Sequence, residues 1–237
     1  MNATYTILEV RRLLRDRAAL VLTAGLPTGL FVLYDAMWGD DIATTTSLMV
    51  MMGVFAGLAA TISAGGRVAL ERHAGWTRQL RLSPLRPLSY ALSKSVVALV
   101  LGMLAGTLVF AVGLAVQGGA ADLPAMAGSL LLLWLGSIPF ALIGVLLGQV
   151  GSAGSAQPRS MVVLLGSAFL GGVFVPIDQL PSGMEAVAQW YPSYWLDALA
   201  QAPFGESVDV VRAAVTLTAW TLVLAGLVRW RYGRADR

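Results

Sequence analysis

The sequence predicts an all-α fold, an integral membrane protein of six transmembrane helices, and three observations carry that prediction. The 237 residues are 57% hydrophobic and only 12% charged, with a mean hydropathy of +0.73, far from the quarter of charged residues typical of soluble domains. The apolar residues gather into runs close to the roughly 20 residues that cross a bilayer core. The charges flanking those runs alternate in sign. Arg11, Arg12, Arg15 and Arg17 precede the first run, and Arg67, Arg72, Arg78, Arg81, Arg86 and Lys94 lie between the second and third. Arg159 falls between the fourth and fifth, and Arg229, Arg231, Arg234 and Arg237 follow the last. The alternate connections carry Asp35, Asp40 and Asp41, then Asp122, then Asp178, Glu185, Asp197, Glu206 and Asp209; only Arg212 is out of step. Basic residues are retained on the cytoplasmic side, so the pattern predicts an even number of spans with both termini inside the cytoplasmic membrane.

Residues 1–17 set Ile7, Val10 and Leu14 at helical spacing among Arg11, Arg12 and Arg15. Two readings fit: a basic amphipathic helix lying in the inner interface, or a solvated positive flank. Span 1 covers 18–37, with Pro27 and Gly29 as the expected kink. It is too long for the apolar core of a cleaved leader and reads as a retained span. Span 2 covers 46–64, span 3 covers 92–116, span 4 covers 124–150, span 5 covers 161–175 and span 6 covers 210–229. Span 5 is short for a core about 30 Å thick.

Residues 176–205 are too apolar for a plain loop and too broken for a span, being interrupted by Pro176, Pro181, Gly183, Pro192 and Pro203. They predict an outer re-entrant pair of short helices whose backbone is satisfied by protein. Trp190, Tyr191, Tyr194 and Trp195 form either an aromatic belt at headgroup level or a platform for a ring-bearing ligand. Gly53 and Gly57, Gly102 and Gly106, and Gly144 and Gly148 give the four-residue glycine spacing that lets helix backbones approach in lipid.

Several chemistries are excluded. With no cysteine and the single His73, the chain offers no thiolate or histidine metal cluster. The central thirds of the spans hold no ionisable side chain, unlike an ion-coupled carrier. Asp35, Lys94 and Arg212 lie near span ends, where reaching toward water explains them. Gly151-Ser152-Ala153-Gly154 has no base to activate its serine, and no phosphate-binding P-loop motif occurs. The chain is therefore expected to be neither an enzyme nor an ATP-binding protein.

The charged stretch 67–86 carries Val68, Glu71 and Arg72 before Gly75, a natural helix terminator. Ser83-Pro84-Leu85-Arg86-Pro87 then turns the chain back. It reads either as a short helix docking on a soluble partner or as a solvated loop. Glu71-Arg72, Gly75, Thr77, Leu80, Leu82, Pro84-Leu85 and Lys94 in that order resemble the cytoplasmic loop of the ABC-2 type transporter permease family, including its daunorubicin- and antibiotic-exporting branch. The run Gly171 to Ile177, with Pro181 and Trp190-Tyr191-Pro192-Ser193-Tyr194-Trp195, resembles the family's fifth span and outer hairpin. The resemblance covers essentially the whole chain, 1–237, as one transmembrane domain.

That resemblance implies a non-hydrolytic permease subunit of an exporter, paired as a homodimer or heterodimer above two copies of a cytoplasmic ATPase that binds ATP and Mg²⁺. Glu71, Arg72, Gly75, Thr77, Leu80 and Pro84 would form its coupling helix, and an amphipathic or lipophilic molecule such as a drug, antibiotic or lipid would be its substrate. Gly75-Trp76-Thr77-Arg78 departs from the family's Gly-Thr-acidic pattern, which points to a dedicated ATPase. A membrane sensor recruiting a soluble partner through the same loop, without transport, is the competing expectation.

Overall fold

A computed structural model describes residues 3–75, 87–150, 152–174 and 182–234, and every described regular element is helical. The chain starts with α1 (Ala3–Arg15), followed by α2 (Arg17–Leu20), a π-helical turn at Val21–Gly25 and α3 (Leu26–Trp38). Then come α4 (Ile42–His73), α5 (Pro87–Gln117), α6 (Leu123–Gly136) and α7 (Ile138–Gln149). The order ends with α8 (Ala153–Leu170), α9 (Ser182–Ala188), α10 (Pro192–Gln201) and α11 (Val210–Arg234).

Local chemistry sets the breaks. Asp41 caps α4, its carboxylate accepting from the Thr44 amide at 2.7 Å, and Asp122 caps α6 through the Ala125 amide at 3.0 Å. The Thr44 bond holds the exposed Asp41 carboxyl below its ordinary range. Where a kink is expected at Pro27 and Gly29, the helix carries an irregularity: a π-helical turn at Val21–Gly25 ends just before Pro27, which has no amide hydrogen to donate to the preceding turn. The expected span 124–150 is instead broken once at Ser137, because Pro139 cannot donate to the turn before it.

Five helical stretches are long and apolar enough to cross a membrane: Val21–Trp38, Ile42–His73, Ser89–Ala120, Leu123–Gln149 and Val210–Arg231. Five of the six expected spans correspond to these stretches. The predicted fifth span lies in α8, which is not among the five, because its first half carries Ser155, Gln157, Pro158, Arg159 and Ser160. A correction concerns 67–86. Residues 67–73 are the end of α4, not a loop, since nothing from Val68 to His73 interrupts the helix.

The core gathers around α4, which packs against α3, α5, α7 and α8, with Phe31, Met52, Leu58, Leu101, Leu133 and Phe140 fully buried about it. Of the most apolar eighteen residues of α4, 72% are buried, against 17% for the first and last candidate spans. Those two peripheral helices display Leu22, Leu33, Val211, Val215 and Leu222 outward. In water such faces would be a liability; in hydrocarbon they are ordinary.

Candidate functional site

Helix α4 leaves the apolar core at Glu71, and there the bundle gathers a buried set of charges. Lys94 donates to Glu9 Oε2 of α1 and to Glu71 Oε1, both at 2.7 Å, and its side chain is only 6% exposed. Tyr90 donates to the other Glu71 oxygen at 2.8 Å, and Thr6 donates to Ser93 at 2.9 Å. The Lys94 ammonium also stands over the Tyr90 and Tyr5 rings, 5.4 and 6.0 Å from their centres. Lys94 does not reach for water, as its place near a span end suggested. It begins two turns inside α5, too deep to snorkel past α1, so the glutamates of two other helices meet it instead. Such an ion cluster contributes little net stability, since desolvation offsets attraction, but removing one member leaves an uncompensated charge.

Arg72 completes the tie on the other side, its Nη1 donating to the backbone carbonyl of Gln149 at the end of α7. Gly75 follows the C-cap Ala74 at φ +74°, a left-handed conformation in which any side chain is strained. Of the residues singled out for coupling, Glu71, Arg72 and Gly75 therefore stand where α4 ends. Thr77, Leu80 and Pro84 lie outside the described residues. Glu71 faces inward to Lys94 rather than outward to a partner.

The glycine pairs explain how α4 can be so enclosed. A Cβ on Gly144 would run into the Thr61 carbonyl, and one on Gly148 would stand 2.6 Å from the Gly65 carbonyl. Gly53 lies against the Phe110 ring and Gly57 against Ser137, while Gly102 and Gly106 of α5 face Thr61 and Leu133. Main chain meets main chain where α4 crosses α7, which only small residues permit. Gly65 belongs to this contact and was missed, because it has no glycine four residues away to flag it.

At the opposite end of the bundle, α9 and α10 form the pair of short helices expected over 176–205; Pro176 and Pro181 lie outside the described residues. The four aromatics do not share one environment. Trp190 is 77% exposed, whereas Trp195 is 5% exposed, donates to the Gln189 carbonyl at 2.8 Å and carries the Arg212 guanidinium 5.3 Å over its ring. Arg212 also donates to Gln189, at 3.3 Å. Tyr191 meets Ser167 at 3.0 Å and packs edge-on against Trp220, and Tyr194 packs edge-on against Trp195. Pro192 starts α10 in the turn where proline is favoured.

Two groups on α10 escaped the sequence reading. Asp197, 7% exposed, accepts from Gln201 at 2.7 Å through one oxygen, while its other oxygen and the hydroxyl of buried Ser193 have no partner among the described residues. Burial pushes the Asp197 carboxyl up to about 7. Four residues apart, Ser193 and Asp197 lie on one helix face.

Comparison with known proteins agrees with this architecture. Residues 4–202 match the family described as ABC-2 type transporter. YvfS of Bacillus subtilis (strain 168), which carries the name of a transport permease, is 25% identical over 231 residues, covering 95% of this chain and 86% of that protein.

Proposed function

The chain belongs to the ABC-2 type transporter family, and from that premise we propose that this multi-pass transporter subunit is the permease of an ATP-driven exporter whose energy comes from a separate ATPase chain. One observation carries the reading. A single continuous helix, α4, runs from one end of the bundle to Glu71 and Arg72, where it is bonded to α5 and α7 and, through Lys94, tied to α1. A push delivered just beyond Gly75 would thus move four helices as one body, which is what coupling to an external motor requires. The stroke biases a two-state bundle by the difference in nucleotide affinity between its states.

In this reading the termini and the Gly75 end of α4 face the cytoplasm, the positive-inside distribution being the support. The short α8, together with α9 and α10, completes the sixth crossing and an outer re-entrant hairpin. Two permeases pair, and two ATPases sit beneath them. The substrate is amphipathic or lipophilic, because span centres without charge offer nothing to replace the hydration of a small ion.

Purification of the tagged chain from its native membrane in mild detergent tests the partnership: an ATP-binding polypeptide is expected in one-to-one ratio, and its absence argues for a non-transporting role. In the assembled complex, Glu71→Ala and Gly75→Pro are each expected to lower substrate-stimulated ATP hydrolysis several-fold while insertion is retained. Full stimulation in both variants would remove the α4 end from the coupling path.

A further inference from the structure

Between α1, α4 and α5 lies a cavity of about 440 Å³, open on one side, whose walls differ in character. Arg12 and Arg15 of α1 and Arg67 of α4 line it, and α5 contributes Val97, Ala98 and Leu101 beside Lys94. Among the described residues, four basic side chains (the three arginines and Lys94) and three acidic ones (Glu9, Asp16 and Glu71) line the cavity, leaving one positive charge in excess. The charge of Lys94 is engaged by Glu9 and Glu71, so the excess resides with the arginines. Arg67 is attracted by Asp16, Glu71 and Glu9, but among the described residues no ion pair within 4.0 Å engages Arg12, Arg15 or Arg67.

Helix α1 sets the level of this cavity. Leu13 and Thr6 are buried against the bundle, while Ile7 and Leu14, seven residues apart and so on one side of the helix, remain exposed beside Arg11 and Arg15. A helix with apolar and basic residues both exposed lies where hydrocarbon meets headgroups. The cavity it roofs is therefore at headgroup depth, and its size falls in the range that takes a small polar head.

We infer that this cavity binds the headgroup of an anionic phospholipid, the phosphodiester held by Arg12, Arg15 and Arg67 and the first acyl carbons lying along Val97, Ala98 and Leu101. A phosphodiester carries one negative charge, which closes the balance above. Guanidinium forks match phosphate oxygens in pairs. The apolar wall selects a lipid over a free anion. Basic pockets between spans are a recognised headgroup site. The bound lipid would brace α1 against α4 and α5, the helices already joined at Lys94.

The full chain, purified in mild detergent, tests this with three probes: dioleoylphosphatidylglycerol, dioleoylphosphatidylcholine and sodium phosphate. Native mass spectrometry is expected to retain phosphatidylglycerol preferentially, and that lipid alone is expected to raise the thermal unfolding midpoint. Arg12→Gln, Arg15→Gln and Arg67→Gln should each weaken its retention about five-fold. Arg12 and Arg15 are exposed, so their variants remain informative should Arg67→Gln not fold. Arg229→Gln, outside the cavity, should retain the lipid as the parent does. Equal retention of phosphatidylcholine, unchanged retention in the arginine variants, or equal protection by sodium phosphate would each overturn the assignment. Lipid retention is read without transport or an ATPase, so this result and that of the proposed function are independent.

Discussion

The two ends of the bundle bury charge in opposite ways. At the Glu71 end every member of the Lys94 cluster is matched: one ammonium, two carboxylates, and a tyrosine hydroxyl for the spare oxygen. At the far end Asp197 has, among the described residues, a single partner, Gln201, and no cation, with one oxygen and the neighbouring Ser193 hydroxyl left over. The first arrangement ties three helices into a unit in which each charged group meets one of opposite sign. The second leaves a carboxyl that favours its neutral form, since burial penalises the charge with nothing to offset it. Fully paired polar burial thus sits at the Glu71 end of α4, and incompletely paired burial sits in the short helix α10.

The contrast is most sharply broken by removing its cation. Lys94→Met leaves Glu9 and Glu71 facing each other inside the protein, and a loss of about 3–5 kcal/mol is expected, seen as a large fall in the thermal unfolding midpoint in detergent. An unchanged midpoint would mean that the cluster is solvated and that the two ends do not differ.

A smaller effect is expected from Asp197→Asn, read against pH. The folded-state carboxyl titrates at about 7, above its ordinary value of 3.8, so its stabilising contribution is full below that lower value and is lost as pH rises through about 7. Across this window the parent should lose roughly 2–4 kcal/mol relative to the asparagine variant. Parallel pH profiles would show that the Asp197 carboxyl titrates alike in the folded and unfolded chain, so that burial does not shift it. Least costly is Trp195→Phe, which removes the bond to the Gln189 carbonyl and weakens the platform beneath Arg212, for about 1 kcal/mol. No change at all would place Trp195 among the purely apolar contacts of α10.

Much of the fold was legible in the chain because lipid imposes simple rules. Apolar length gave five of the spans, and Pro192 and the caps at Asp41 and Asp122 marked helix starts. The fifth predicted span is not among them for a reason equally present in the sequence: Gln157, Pro158 and Arg159 occupy the first half of α8. The break at Ser137 was announced by Pro139 and overlooked because hydropathy is unaffected by it. Glu71 and Lys94 were each noticed, but as a surface contact and a snorkelling end. Glu9, 85 residues from Lys94 in the chain, carried no local signal that it would complete the pair.

By itself, then, the sequence determined the solvent of this protein, its helical class, its family and the glycines at which helices can touch. These follow from composition, period and short motifs, which are local quantities. Tertiary structure alone decided that α4 is the enclosed helix, that Lys94 joins three helices, and that Trp195 is internal while Trp190 is not. In hydrocarbon an apolar helix gains nothing by choosing one apolar neighbour over another. Which helices meet is settled by close backbone approach and by buried charges finding partners, and both depend on residues far apart in the chain.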